Sequence, residues 1–109
     1  MNSDNIPRLS NKELLIFELL LECRTRELYG LELVAKSDDR LKRCTIYVTL
    51  GRMQEKGFIE SRQEAEDPSR PGIPRRLYKP TGYGMRVYEA WRNAREQFLL
   101  PNTLVPGTI

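Results

Sequence analysis

The 109-residue chain contains no histidine and only two cysteines, Cys23 and Cys44. The missing histidine removes the commonest general base of enzymes and a common ligand of structural zinc. Two cysteines this far apart form neither a disulfide framework nor a close zinc-binding pair. We therefore expect no enzymatic activity, no metal and no cofactor.

Long hydrophobic runs are also missing. The longest is Leu14–Phe17, far short of the roughly 20 residues that a membrane-spanning helix needs. The N-terminal "MNSDNIPRLS" lacks the apolar core of a signal peptide. With 39% hydrophobic and 30% charged residues, the composition is typical of one globular domain. We expect a cytoplasmic protein with no membrane partner.

Positive charge is concentrated in the middle of the chain. Residues 40–80 hold ten basic and five acidic residues, whereas the remaining residues carry two more acidic than basic groups. A basic segment of this kind is a common electrostatic feature of nucleic-acid-binding proteins.

The N-terminal part begins with a predicted flexible arm, residues 1–9. Ser10 and Glu13 have the spacing of a capping box, and apolar residues then recur at helical spacing. This pattern predicts a first helix from Asn11 to Arg24. Its wide apolar arc places it at the centre of the core.

Two more helices are predicted before the sequence changes its period. The segment "YGLELV", residues 29–34, opens a second helix, with Leu31 and Val34 facing inward and Leu33 a further candidate for that face. A third helix is expected from Thr45 to Gly57, since glycine favours a helix C-terminus. Its inward stripe, at helical spacing, consists of Ile46, Leu50 and Met53.

A hairpin and a fourth helix follow. Residues 58–63 and 75–79 are typical of two strands, and the segment between them, rich in proline and charge, is typical of a loop. Thr81 is a candidate cap for a last helix, Gly82 to about Leu100. The order predicts a mainly α fold with a small β hairpin: a winged helix-turn-helix over residues 10–80 and a C-terminal helix over 81–100, followed by a flexible tail, residues 101–109.

Three segments carry a family resemblance. "YGLELV" resembles the Y-G-Y-E-L segment of the PadR family of transcriptional regulators. "TIYVTLGRMQEKGFIES", residues 45–61, is similar to that family's T-L-Y-x-x-L-x-R-L-x-x-x-G-L-I stretch. "RPGIPRRLYKPTGYG", residues 70–84, resembles its wing and the following helix start, G-R-P-R-K-Y-Y-x-L-T-x-x-G. The resemblance covers about residues 12–88, with Cys44 standing where the family usually has glycine.

The resemblance implies a homodimer in which the C-terminal helix forms much of the contact between subunits. It also implies that the Tyr47 hydroxyl contacts the DNA backbone; the alternative is a tyrosine that ties the third helix to the second. In some short members an aromatic side chain at the dimer interface lines a pocket for flat hydrophobic ligands. Tyr88 and Trp91 are candidates for that pocket, or for simple packing in the dimer interface.

The third helix corresponds to the recognition helix, which enters the major groove in helix-turn-helix proteins. Its base-contact candidates are Thr45, Val48 and Arg52. Val48 suits a thymine methyl group, and Arg52 suits either guanine or a phosphate. Gly51 either allows close approach to the DNA or is merely tolerated.

Phosphate contacts are expected from the cations that flank this helix. Arg43 precedes it, and the wing contributes four more basic residues, Arg70, Arg75, Arg76 and Lys79. The alternative for each wing residue is a charge that keeps the hairpin edge soluble. For Cys44, next to Arg43, redox sensing and a merely small residue at a helix start both remain open.

These features together predict a homodimeric, sequence-specific transcriptional repressor. Its partners would be double-stranded DNA with a pseudo-palindromic operator and a small hydrophobic or aromatic effector. The competing hypothesis is a winged-helix module that binds another protein instead of DNA. That module would present a neutral outer face on its third helix, whereas this one carries Arg52.

Overall fold

The computed structural model describes residues 7–64 and 75–108, with side chains as far as residue 95. Its elements follow in the order α1 (Asn11–Glu22), β1 (Leu28–Tyr29), α2 (Gly30–Lys36), α3 (Ile46–Glu55), β2 (Ile59–Gln63), β3 (Arg76–Pro80) and α4 (Gly82–Thr108). This architecture confirms the predicted mainly α winged helix-turn-helix.

The capping box fixes the start of α1. The Ser10 hydroxyl accepts a hydrogen bond from the Glu13 amide at 3.1 Å, and the Glu13 carboxylate accepts one from the Ser10 amide at 2.8 Å. The second carboxylate oxygen of Glu13 accepts from Lys56 Nζ at 2.9 Å. Helix α1 is thereby tied to the end of α3, and it ends at Glu22 instead of the expected Arg24.

The core forms around α1. Ile16, Phe17 and Leu20 are inaccessible to solvent, and Tyr88 of α4 stacks on Phe17 with ring centroids 5.3 Å apart. Each fully buried large apolar side chain contributes about 1.5–3 kcal/mol through burial. The central position predicted for the first helix is confirmed.

One inward assignment in α2 is wrong. Leu31 is 46% exposed, whereas Leu33 is inaccessible and Val34 is half-buried. Residues two apart on a helix point about 200° away from each other, so Leu31 and Leu33 cannot both face the core. The docking of α2 places Leu33 inside.

The sheet contains one more strand than the predicted hairpin. Strand β3 lies in the middle and pairs antiparallel with both β1 and β2. Leu28 lies opposite Tyr78, and Gln63 lies opposite Arg76. Strand β1 is two residues long, too short to show an alternating pattern, so only its pairing with β3 identifies it.

Thr81 caps α4, as predicted. Its hydroxyl oxygen accepts from the Gly84 amide at 2.9 Å and donates to the Gly57 carbonyl at 2.5 Å. The expected helix end near Leu100 is wrong, because α4 continues to Thr108 and includes Pro101. Proline in a helix interior removes one i→i−4 hydrogen bond and usually kinks or ends the helix, which is why an end before Pro101 was expected.

Candidate nucleic-acid interface

Helix α3 has a buried face and an exposed face, as predicted. Ile46, Leu50 and Met53 are at most 1% exposed, which holds the helix against the core. The opposite face forms an open depression lined by Tyr47, Val48, Gly51, Arg52, Gln54 and Glu55. The predicted base-contact residues Thr45, Val48 and Arg52 are all exposed.

The end of α3 is joined rigidly to the wing. The Phe58 amide donates to the Met53 carbonyl at 2.9 Å, and the Gly57 amide donates to the Gln54 carbonyl at 3.0 Å. These two bonds form a Schellman motif, in which Gly57 has the left-handed conformation at φ +80°. Phe58 is buried directly after it. Helix α3 and strand β2 therefore keep a fixed relative orientation.

Tyr47 contacts α2 through Gly30. A Cβ atom on Gly30 would lie 2.6 Å from Tyr47 Cε1 and 2.9 Å from Tyr47 Cζ. The Tyr47 side chain is nevertheless 51% exposed. Tyr47 therefore links α3 to α2, which is the alternative to a DNA contact given above. About half of its side-chain surface nevertheless remains exposed.

The two sides of the wing base are held together around Tyr29. Its hydroxyl donates a hydrogen bond to Glu64, which raises the pKa of Tyr29 above its ordinary value. The Arg75 guanidinium lies over the Tyr29 ring, 4.1 Å from the centroid, and its Nε is 3.7 Å from Glu64. Arg75, a predicted DNA contact, is therefore engaged within the subunit.

A second link runs from the wing to α3. Arg76 donates to the Ser61 hydroxyl at 2.9 Å, and that hydroxyl donates to the Gln54 side-chain carbonyl at 3.2 Å. All three residues are at the surface or half-buried. Gln54 and Ser61 were not candidates in the sequence, because residues on three different elements become neighbours only through folding.

An ion pair joins β2 to the segment before β1. Arg62 donates twice to the Glu27 carboxylate, from Nε at 2.8 Å and from a terminal nitrogen at 3.0 Å. The hydrogen bond from Arg62 lowers the pKa of Glu27, and the same contact raises the pKa of Arg62. This pair orients the wing relative to the body of the subunit.

Among the other predicted phosphate contacts, Arg43 and Lys79 are exposed, and Arg70 lies outside the described residues. Arg43 precedes α3 directly, whereas Lys79 lies near the inner end of β3. Arg43, Arg52, Arg75 and Arg76 are all exposed, and two of them also make contacts within the subunit: Arg75 with Tyr29 and Arg76 with Ser61.

The two aromatic residues predicted for a ligand pocket have different environments. Tyr88 is only 7% exposed and belongs to the core of its own subunit, where burial raises its pKa. Trp91 is half-buried and packs against the edge of the same core. Tyr88 therefore acts first as a packing residue within the subunit.

Both cysteines are free thiols. Cys44 is exposed, and a hydrogen bond with the Thr25 side chain lowers the pKa of Cys23. Within residues 7–64 and 75–108, no group of three or more histidine, cysteine or acidic side chains is arranged to hold a metal ion. In the same part of the chain, no helix is long and apolar enough to cross a membrane.

The chain is similar to known regulators in sequence and in fold. A PadR family transcription regulator from Clostridium difficile R20291 is 27% identical; the alignment covers 88% of this chain and 99% of that one, with a TM-score of 0.67. A transcriptional regulator from Clostridium thermocellum, Cth-833, is 23% identical, with 100% and 98% covered and a TM-score of 0.60. No curated protein matches the chain.

A third structure, Bacillus subtilis PadR in complex with operator DNA, is 22% identical to the chain. The alignment covers 71% of this chain and 45% of that one, with a TM-score of 0.57. At this identity the likeness concerns the fold. Residues 19–90 match the model of the transcriptional regulator PadR-like family, a span of about two thirds of the chain that contains helices α2 and α3, the Schellman link and all three strands. The chain belongs to the PadR-like family of transcriptional regulators.

Proposed function

We propose that this protein is a sequence-specific DNA-binding repressor that acts as a homodimer and responds to a small hydrophobic or aromatic effector. The observation that carries the proposal is the division of α3: three residues anchor the helix, while Thr45, Val48 and Arg52 remain exposed. A rigid helix that presents such side chains suits the major groove, where they meet base edges.

The wing supports this proposal because it is fixed to the same helix. The Schellman link and the bridge from Arg76 through Ser61 to Gln54 connect β2, β3 and α3. When α3 lies in a major groove, the wing then lies beside it, over the sugar–phosphate backbone or an adjacent groove. The fold is also that of the Bacillus subtilis protein solved with operator DNA.

Charge around this surface also favours DNA. Arg43, Arg52 and Arg76 are exposed, and each phosphate that a cation neutralises releases condensed counterions from the duplex. We propose that Arg43 and Arg76 contact phosphates and that Arg52 contacts guanine. Tyr47, which is half-exposed beside Gly30, would donate its hydroxyl to the backbone.

Helix α4 supports the homodimer. It contains 27 residues, roughly 40 Å at 1.5 Å per residue; among its residues up to Arg95, for which side chains are described, the buried apolar ones are Val87 and Tyr88, near its start. We propose that two subunits pair through α4 and present their α3 helices one helical turn of DNA apart, on a pseudo-palindromic operator. Sedimentation equilibrium of the free protein tests the dimer, and a monomer at micromolar concentration contradicts it.

The effector is assigned to the region of Trp91, which is half-buried where α4 leaves the core. A flat aromatic ligand bound there would favour one spacing of the two α3 helices over another and change operator affinity. Quenching of the single tryptophan by planar aromatic compounds tests this assignment. A flat fluorescence response across a chemically varied set of such compounds contradicts it.

Protein binding is the competing function, and the exposed apolar surface of Tyr47 and Val48 is the observation that favours it. Mobility-shift titration of the protein against its own upstream DNA at two salt concentrations separates the two functions. A DNA-binding repressor gives a shifted band that weakens steeply with salt. No shift at low salt rejects the DNA-binding function and leaves protein binding.

A further inference from the structure

Gly51 lies in the middle of the exposed face of α3, where glycine is unfavourable. Glycine inside a helix lowers helix stability relative to alanine, because its backbone loses more freedom on folding. Gly51 does not have a positive φ. Apart from its two chain neighbours and the nearby backbone of its own helix, no atom of the described residues lies within 4 Å of the position that its Cβ would occupy. Within that part of the chain, neither conformation nor packing requires glycine there.

The space above Gly51 has an apolar wall. Tyr47 and Val48 are 51% and 55% exposed, and both line the same depression as Gly51. Two exposed apolar side chains beside a residue without a side chain leave a shallow apolar seat on a helix that is otherwise polar on this face.

The lining also carries one cation, Arg52, and one carboxylate, Glu55. These two charges offset each other, so the depression has no net positive charge to attract a phosphate, and its apolar wall favours an apolar occupant. Base edges in the major groove are neutral, and the thymine C5-methyl group is the apolar group that they present there. Its size is that of the missing Cβ.

We propose that the depression over Gly51 is a specificity-determining seat for a thymine methyl group, which contacts the Gly51 backbone and the Val48 side chain. This inference rests on the proposed DNA-binding function and names the base that this part of α3 selects. Glycine at position 51 leaves room for the methyl group of the thymine, and any side chain at this position would fill the seat.

The test uses an operator fragment defined by footprinting of the upstream DNA, synthesised once with thymine and once with uracil at every thymine. Uracil keeps the polar base edge and lacks only the methyl group. The wild-type protein should bind the thymine operator at least about fourfold more tightly, the factor expected from burying one group of this size. Equal affinity for the two operators overturns the proposed seat.

Gly51→Ala supplies the decisive variant, because its methyl group occupies the seat from the protein side. It should bind the thymine operator more weakly than wild type and bind the uracil operator at least as well as wild type does. An alanine variant that keeps the wild-type preference for thymine overturns the proposal.

Two controls separate the seat from other effects. Thr49→Ala also raises helix propensity but lies on the half-buried side of α3, so it should keep the preference for thymine. Thermal unfolding of Gly51→Ala should show an unchanged or higher Tm, because the added methyl group meets no neighbour among the described residues. If the wild-type protein binds no fragment of the upstream DNA, the proposed function fails, and the seat fails with it; binding without a preference rejects the seat alone.

Discussion

The Tyr47 ring lies so close to the backbone of Gly30 that a Cβ atom there would be 2.6 Å from Tyr47 Cε1. Glycine at the first position of α2 is therefore what allows α3 to approach with its tyrosine in place. The contact sets the position of a half-exposed side chain beside the proposed base-contact residues. The Gly30–Tyr47 contact therefore bears both on the packing of α3 against α2 and on the proposed DNA binding.

Gly30→Ala should displace Tyr47 rather than unfold the domain, because the ring is the movable end of a side chain. We expect a loss of about 1 kcal/mol of stability, at the low end for overpacking, together with weaker operator binding. Urea denaturation and mobility shift measure the two effects. In the Tyr47→Ala background, Gly30→Ala should lower stability less, because the ring that it would clash with is absent. An equal loss of stability in both backgrounds would contradict the contact.

Gly84→Ala should lower the free energy of unfolding much more than Gly30→Ala, because the new Cβ would meet backbone atoms of Phe58, which cannot move aside as a side chain can. A Cβ on Gly84 would lie 1.9 Å from the Phe58 carbonyl oxygen, and the capped start of α4 cannot move away without losing the Thr81 bonds. We expect a loss of about 3 kcal/mol or more, at or beyond the upper end for overpacking, measured by urea denaturation.

Gly82 is the matched control for that variant. Its nearest neighbour would be an Arg86 guanidinium nitrogen at 3.6 Å, an ordinary contact with a flexible side chain. Gly82→Ala should leave stability unchanged or slightly higher. Similar losses for the two substitutions would show that the approach of Gly84 to Phe58 is not what limits the packing of α4.

Arg43 and Arg52 should affect DNA binding differently. Arg43→Ala should weaken binding to all sequences alike and lower the log–log salt slope by about 0.9 for each phosphate that the variant no longer neutralises. Arg52→Ala should reduce the preference for the operator over unrelated DNA by about 1–3 kcal/mol, the value of one bidentate pair with a base. Salt titrations with operator and with scrambled DNA measure both, and an unchanged preference in Arg52→Ala contradicts its assignment to guanine.

The Glu27–Arg62 pair should make stability depend on pH in acid. Because the pKa of Glu27 is lowered in the folded state, the pair stabilises the fold above the ordinary carboxyl pKa. That stabilisation disappears as pH falls through the lowered value. Glu27→Gln should therefore lower the Tm at neutral pH and converge with wild type in strong acid. Arg62→Gln should behave in the same way, and the double variant should lose little more; additive losses contradict the pair.

The sequence allowed the buried and exposed faces of α3 to be predicted because a helix has a fixed period. Ile46, Leu50 and Met53 recur at that period, and all three are buried. The capping box at Ser10, the stop at Gly57 and the cap at Thr81 are also local signals, and each was confirmed.

Misplaced or missed features depended on contacts between distant residues. Strand β1 is identified only by its pairing with β3. Leu31 is exposed because α2 packs with Leu33 facing the core. The sequence did not predict that Arg75, a candidate DNA contact, lies over the ring of Tyr29, 46 positions earlier in the sequence. Nor did it predict that Tyr88, a candidate for the ligand pocket, stacks on Phe17 in the core of its own subunit.

The sequence by itself thus determined the four helices, the hairpin, the caps, the family and the stripe that anchors α3, because these follow from spacing along one segment. Tertiary structure decided which of the exposed cations also make contacts within the subunit, as Arg75 does with Tyr29, and that the Tyr47 ring lies against Gly30. It also decided that the face around Gly51 is open. These properties depend on how separate segments approach one another, and close packing fixes that approach to within a methyl group.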